Sequence, residues 1–292
     1  MLSLFPQPGP FLPSFNTLLV KGHYHPSAPI HLSLSCTAEF ADSQAILISP
    51  SRQRLTQALQ HYNDEWLKLH SGFGSVHSLS SRVKLFYPPS PAHLCLLLSM
   101  LRVSSSSKTD NDAWLNPETT LSIPPSLVIL HEPSAYFLSS DGVTPSKWTL
   151  CSYLSLITHA LSSLTFLSGK GQERSGATSF ALFDSRLDQL RLPIVEHPIS
   201  QRDDSGENRS TSRLEPVYNY AQKYFEWIIA AEQEDTSAHG AVRKRTMALH
   251  RNDRDGGFIK SWEWWEGPDE RQATRLIWEK RSVGQSFAVG KT

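Results

Sequence analysis

Apolar residues in this chain fall into short unbroken runs separated by stretches with helical spacing. Thr17–Val20 (TLLV), Ala45–Ser49 (AILIS), Arg82–Tyr87 (RVKLFY), Ser126–Leu130 (SLVIL) and Ser179–Asp184 (SFALFD) each read as a strand. A continuous apolar run bounded by turn residues suits a strand buried on both faces, whereas strict alternation would mark a half-buried one. Between the runs, apolar residues recur every three or four positions. They do so over Ile30–Phe40, through Leu55, Leu59, Tyr62, Trp66 and Leu69, over His93–Val103, and along Leu150, Leu154, Ile157, Leu161 and Leu164. Strands alternating with helices predict an α/β fold, a mostly parallel sheet flanked by helices.

Local signals set the boundaries. Ser49-Pro50 and Ser90-Pro91 each offer a serine N-cap followed by proline in the first helical turn, and Gly72 and Gly74 end the second helix. Pro216 opens a further helix carrying Tyr220, Tyr224, Trp227 and Ile228. The C-terminal part changes character. Thr246–His250, Phe258–Trp265 and Arg275–Glu279 read as strands, with turn signals at Asp255-Gly256-Gly257 and Gly267-Pro268-Asp269. They form an antiparallel meander over 244–281 that closes one edge of the sheet. Residues 1–14 are a Pro-rich, flexible lead-in to a single domain over 15–292. Residues 198–213 are charged and poorly apolar, a disordered insertion. Residues 104–120, the loop through Asp141-Gly142 and residues 168–176 are polar connections. No internal repeat is visible.

Composition narrows the function classes. The 292 residues are 39% hydrophobic and 19% charged, with a formal net charge of zero, so a strongly basic nucleic-acid binder is not indicated. A local patch is still open: Arg243, Lys244, Arg245, Arg251 and Arg254 lie close in sequence to Trp262, Trp264, Trp265 and Trp278. Cations interleaved with aromatics can follow a phosphate backbone and stack on bases; they also guard strand edges, with the tryptophans in the core. Trp262 and Trp264 share one strand face and Trp265 takes the other, so one aromatic face would meet the core and the other a partner. Cys36, Cys95 and Cys151 show no C-x-x-C or metal spacing and read as buried thiols in a reducing compartment. The uncharged stretch 148–167 carries a helical apolar stripe broken by serines and His159, a core helix rather than a membrane span. The N-terminus lacks the basic region of a signal peptide. Together these features predict a soluble intracellular protein.

The first strand, its Gly-led loop (Lys21–Pro29) and the helix behind it form the context of a phosphate-binding loop, G-x-x-x-x-G-K-[ST]. Gly22 takes the first glycine position. Ser27, Ala28 and Pro29 stand where glycine, lysine and Ser/Thr are required. Ala28 brings no ammonium to a phosphate, and Pro29 has neither a hydroxyl for magnesium nor an N–H to donate. His23, His25 and His31 include a His-x-His pair, but no cysteine or nearby carboxylate completes a metal set. Asp184 and His131 at strand ends could face one cleft as in a Ser/His/Asp hydrolase, though no G-x-S-x-G elbow accompanies them.

Four stretches carry a family resemblance: PSFNTLLVKG, AILIS with its helix, PPSLVILHE, and SFALFD with its antiparallel tail. Through them residues 14–290 resemble the RecA-like ATPase core of recombinase paralogues, most closely the degenerate paralogues that act as accessory subunits in Shu-type complexes. The resemblance implies a RecA-like, P-loop NTPase-type sheet. It implies that PPSLVILHE is the Walker B strand, where His131 replaces the family's acidic residue and Glu132 follows one place later. Tyr87-Pro88-Pro89 stands where the family carries its water-activating glutamate. Phosphoryl transfer is almost wholly positioning and electrostatics by such groups. The resemblance therefore implies a degenerate site at Gly22, Ser27, Ala28, Pro29 and Glu132, no ATPase activity, and no cofactor beyond weak residual ATP binding. It further implies a non-catalytic accessory role in homologous-recombination DNA repair in the nucleus or cytoplasm. The implied partners are recombinase or recombinase-paralogue subunits and single-stranded or forked DNA.

Overall fold

The computed structural model describes residues 1–39, 42–104, 116–138, 148–168, 177–194, 213–233, 243–252, 257–268 and 273–278. The expectations for Asp141-Gly142, for 169–176, for Arg254 and for most of 104–120 and 198–213 fall outside these residues.

The fold is α/β, built on one mixed sheet of nine strands. In chain order these are β1 (Thr17–Gly22), β2 (Ala45–Ile48), β3 (Val83–Phe86), β4 (Leu127–His131), β5 (Ser179–Asp184), β6 (Trp227–Gln233), β7 (Arg243–Arg251), β8 (Phe258–Pro268) and β9 (Thr274–Trp278). Across the sheet they run β9-β8-β7-β6-β1-β5-β4-β2-β3. Pairing is parallel from β3 to β6 and antiparallel from β6 to β9. The helices are α1 (Ala28–Glu39), α2 (Arg52–Tyr62), α3 (Glu65–His70), α4 (Gly74–Ser80), α5 (Pro91–Met100), α6 (Leu150–Leu167) and α7 (Tyr218–Ala221).

The central strands are apolar throughout because each feeds two cores. Leu19, Ile46, Ile48, Val128, Leu130, Phe180 and Leu182 face one way and pack with Leu94 and Leu98 of α5 and Tyr153, Leu156 and Ile157 of α6. Leu18, Val20, Leu47, Ile129 and Phe183 face the other way, toward Leu32 and Cys36 of α1 and Leu55 of α2. The two-residue period of a strand divides one apolar run between two layers. The C-terminal meander adds Met247, Leu249, Trp262 and Trp264 to the second core. α6 is capped by Thr149 and Ser152 bonding reciprocally. By length and composition it could cross a membrane, yet its inner face lies in the first core.

Several boundaries differ from the sequence expectation. Trp227 and Ile228 belong to β6, a sixth parallel strand beside β1, not to a helix begun at Pro216. Only the short α7 and a 3-10 turn, Gln222–Tyr224, precede it. Tyr220, Tyr224, Trp227 and Ile228 satisfy helical spacing, but the WIIAA run has strand character and fills the position between β1 and β7, where tertiary pairing decides. The N-cap of α2 is Ser51, whose hydroxyl accepts from the Arg54 N–H at 3.3 Å. The helix expected through Leu69 breaks at Asn63, which is left-handed (φ 51°), and Asp64 caps a new helix, α3. Gly74 opens α4 rather than closing a helix. The lead-in is packed rather than loose: Ser3, Leu4 and Phe5 are buried, and Phe5 lies 4.7 Å from His25 and 5.1 Å from Trp264 between ring centroids. Of the cysteines only Cys36 is buried; Cys95 is half-buried and Cys151 exposed.

β1 ends at Gly22, which is left-handed (φ 80°), and a Cβ there would sit 2.2 Å from the Ala231 carbonyl oxygen. Both conformation and close approach demand glycine. Gly22→Ala is expected to destabilise the protein by about 1 kcal/mol or more, read as a lower urea midpoint. An unchanged midpoint would contradict the close packing of β1 on β6.

Candidate functional site

The site sits where β1, β4 and β5 end, under the loop from Gly22 to Pro29. Three of the loop's backbone donors are turned inward. The His23 N–H bonds to the Ala231 carbonyl (2.8 Å), the Tyr24 N–H to the Gly22 carbonyl (3.0 Å) and the Ala28 N–H to the His25 carbonyl (2.9 Å). Pro29 has none to give. Ser27, Ala28 and Pro29 are all buried. The strand–loop–helix geometry is present, with these three donors committed to carbonyls of the protein.

Tyr24 fills the space in front of the strand ends. Its ring meets Phe183 edge-on at 5.3 Å, and its hydroxyl donates to the Glu132 carboxylate in a short hydrogen bond. β4 ends at His131, and Glu132 follows in the left-handed region (φ 53°), which turns its side chain back toward the loop. Glu132 also accepts from the Ser185 N–H and hydroxyl, both at 3.0 Å. The neighbouring Asp184 is fully buried. It accepts from the Tyr153 hydroxyl (2.9 Å), the Ser134 N–H (3.1 Å) and the Arg186 N–H (3.1 Å). Burial, reinforced by the nearby Glu132 charge, pushes its carboxyl up to about 7. His131 points elsewhere. Its Nδ1 meets the Ser49 hydroxyl at 3.1 Å, and burial lowers its basicity. Asp184 and His131 are thus engaged with separate partners and do not form a hydrolase pair.

A second buried cluster ties the loop down from the helical side. The Ser27 hydroxyl donates to Asp64, whose carboxylate also meets His31 Nε2 at 3.0 Å and caps α3 at the Leu67 N–H (3.0 Å). Burial alone would raise the Asp64 carboxyl. The His31 hydrogen bond and charge, with the Ser27 hydroxyl, outweigh it and hold Asp64 at about 2. His25 Nδ1 lies 3.0 Å from the Ser27 hydroxyl, and burial, then the His31 charge, lower His25 to about 3. Among the described residues no group of three or more His, Cys, Asp or Glu could hold a metal.

The basic cluster is dispersed. Arg245 is buried. Its Nη1 donates to the His23 carbonyl (2.7 Å) and its Nε to Glu266 (2.7 Å), so it is a strut between the meander and the loop. Glu266 also accepts from Trp264 Nε1 and the Tyr62 hydroxyl, each at 3.2 Å. Arg243 is exposed on the same strand face, while Lys244 lies on the opposite face, 3.9 Å from Glu263. Arg251 is 3.9 Å from Glu226 and stands over the Trp227 ring. Trp262 and Trp264 are core residues; Trp265, on the other face, is half-buried. Sequence reasoning placed Tyr24 in the loop beyond β1 and Arg245 in the basic cluster without their partners, and missed Asp64 and Glu266. Each acts through a partner far away in the chain, so no local spacing signals it.

No protein-family model matches the sequence, and no curated protein matches it.

The Glu132–Asp184 pair has a consequence for stability. Folded, Asp184 keeps its proton to about 7; unfolded, it releases it near about 4. The folded state therefore holds the extra proton between those values. This group's contribution to stability falls as pH rises through that window and is level above it. Glu132→Gln removes the like charge while leaving a carbonyl to accept from Tyr24. Urea midpoints at about pH 5 and about pH 8 should show the gap between variant and wild type moving in the variant's favour at the higher pH. A gap independent of pH would rule out the electrostatic coupling.

Proposed function

We propose that this chain is a non-catalytic, RecA-like accessory subunit that acts in homologous-recombination DNA repair through contacts with recombinase-type protein subunits. The observation that carries the loss of catalysis is the Tyr24–Glu132 hydrogen bond. It joins the stretch that resembles a Walker A loop to the stretch that resembles Walker B and fills the space between them with a phenol. The buried Ser27, Ala28 and Pro29 support the same reading: Ala28 brings no lysine ammonium, Pro29 has neither a hydroxyl nor an N–H, the Ser27 hydroxyl is committed to Asp64 and the Ala28 N–H to the His25 carbonyl. The recombination role and the nuclear location rest on the four resembling stretches and on the order of β1, β2, β4, β5 and the antiparallel tail. A contact with single-stranded or forked DNA would fall to the exposed Arg243 and to Arg251, because Arg245 is held inside.

A titration with a fluorescent ATP analogue and magnesium should give no saturable binding tighter than about 1 mM; micromolar affinity would overturn the non-catalytic reading. Affinity purification of the chain from its native cell should bring down a recombinase or a recombinase paralogue, and metabolic enzymes alone would overturn the assignment. If DNA binds, replacing Arg243 and Arg251 with alanine should reduce the salt slope by about 2.

A further inference from the structure

Among the described residues no strand lies beyond β9 at the outer edge of the sheet, and a groove adjoins it. β9 pairs with β8 on one side. On the other, the chain itself starts a ladder and then leaves it: Asp64 bridges to Thr274 in parallel, and the Thr274 N–H bonds to the Asn63 carbonyl at 2.9 Å. Asp64 then caps α3, and the backbone turns away. By the two-residue period of a strand, the N–H and C=O of Leu276 face the same outer side as those of Thr274. Among the described residues they meet no partner there.

Next to this edge lies a groove of about 220 Å³. Pro6 and Pro8 form one wall, Trp66 and Leu69 the other, with Leu276 and Arg275 at the strand side. The Trp66 ring is fixed by His70, stacked on it at 4.7 Å, and by the edge of His31 at 5.4 Å. The apolar surface continues past the groove. Leu69 is 45% exposed and Phe73 55% exposed, and His70 meets Phe73 at 5.4 Å. The volume is below the roughly 300–1,000 Å³ of pockets for small ligands and cofactors. It suits one large apolar side chain on something longer. An unpaired strand edge is satisfied by an extended backbone, and the adjoining groove would select a side chain of that backbone.

We propose that β9 and this groove form a strand-addition site for an extended segment of a partner protein, which continues the ladder begun by Asp64 and seats one bulky apolar side chain between the Pro6–Pro8 turn and Trp66. Arg275, paired with Glu65 at 3.7 Å and largely exposed, stands at the rim, where an acidic residue of the segment would meet it. The proposal draws on the accessory-subunit reading only for the expectation that the chain works through protein contacts. It does not depend on whether a nucleotide binds beside the β1–α1 loop, although Asp64 contributes to both places.

The test is selection of the full chain against a phage-displayed library of random octapeptides, followed by titration of the enriched peptides. Two variants are compared with the wild type. Leu69→Glu changes an exposed groove wall. Leu276→Pro removes the outward backbone donor together with the leucine side chain at the strand side of the groove, at an edge-strand position where proline is tolerated. Enriched peptides should carry an alternating apolar pattern with one bulky side chain in common, and each variant should weaken their binding by about tenfold or more. Failure to enrich any peptide would overturn the proposal, as would peptides whose binding neither variant alters. Light scattering provides a further check. A self-associated wild type that becomes monomeric in Leu69→Glu would assign the groove to a second copy of this chain and overturn the partner-segment assignment. Nucleotide binding alongside peptide binding would defeat the function proposed above and leave this site standing.

Discussion

The loop between β1 and α1 is held in place by carboxylates from its own chain. Glu132 takes the Tyr24 hydroxyl, Asp64 takes the Ser27 hydroxyl and His31, and Glu266 takes Arg245, which in turn grips the His23 carbonyl. Each link is buried or nearly so. A buried polar group without a partner costs about 1–3 kcal/mol, and a buried charge stripped of its partner about 3–5 kcal/mol. The three links are therefore constraints more than sources of stability: each is tolerable only while complete. They also explain why distant parts of the chain converge here. α3 supplies Asp64 at its cap, the turn after β4 supplies Glu132, and the meander supplies Arg245 and Glu266.

The same constraint makes the first residues of the chain and the antiparallel strands part of the domain. Trp264 lies in the second core and bonds through its indole N–H to Glu266, Phe5 packs on Trp264 and on His25, and His25 stacks against Tyr62 at 5.9 Å. Phe5 near the N-terminus and Trp264 of β8 thus close over the loop from distant parts of the sequence. The His25 ring is walled by Phe5, Tyr62, Trp264 and His31. Burial keeps such a ring neutral. It serves as an aromatic filler that happens to offer one nitrogen to Ser27.

How much of this was readable in the sequence depends on whether the signal was local. β1, β2, β4 and β5 announce themselves because a strand buried on both faces must be apolar at every position, and the meander because its turns are glycine-rich. Ser90 and the Ser-rich α6 follow local capping and stripe rules. β6 was hidden because Trp227 and Ile228 also complete a helical spacing with Tyr220 and Tyr224, and only the space beside β1 decides between the two. Asn63 gave no warning of the break between α2 and α3, since asparagine enters the left-handed region where tertiary contacts at Asp64 demand it. Arg245 read as a surface cation because it sits among surface cations. Its alternation with Met247 and Leu249 on one strand face is the clue that it points inward. Glu132 lay one place from the position the family resemblance gives an acid. The left-handed turn after His131 supplies the reach that a strand geometry would deny.

A loop that binds a nucleotide gains part of its order from the ligand, because whatever binds only the folded state stabilises it by mass action. Here the charges that hold the loop are covalently part of the chain, so their effective concentration never changes. The loop's order is then independent of any ligand, and so is the register of β1 against β6, which Gly22 and the Ala231 carbonyl set.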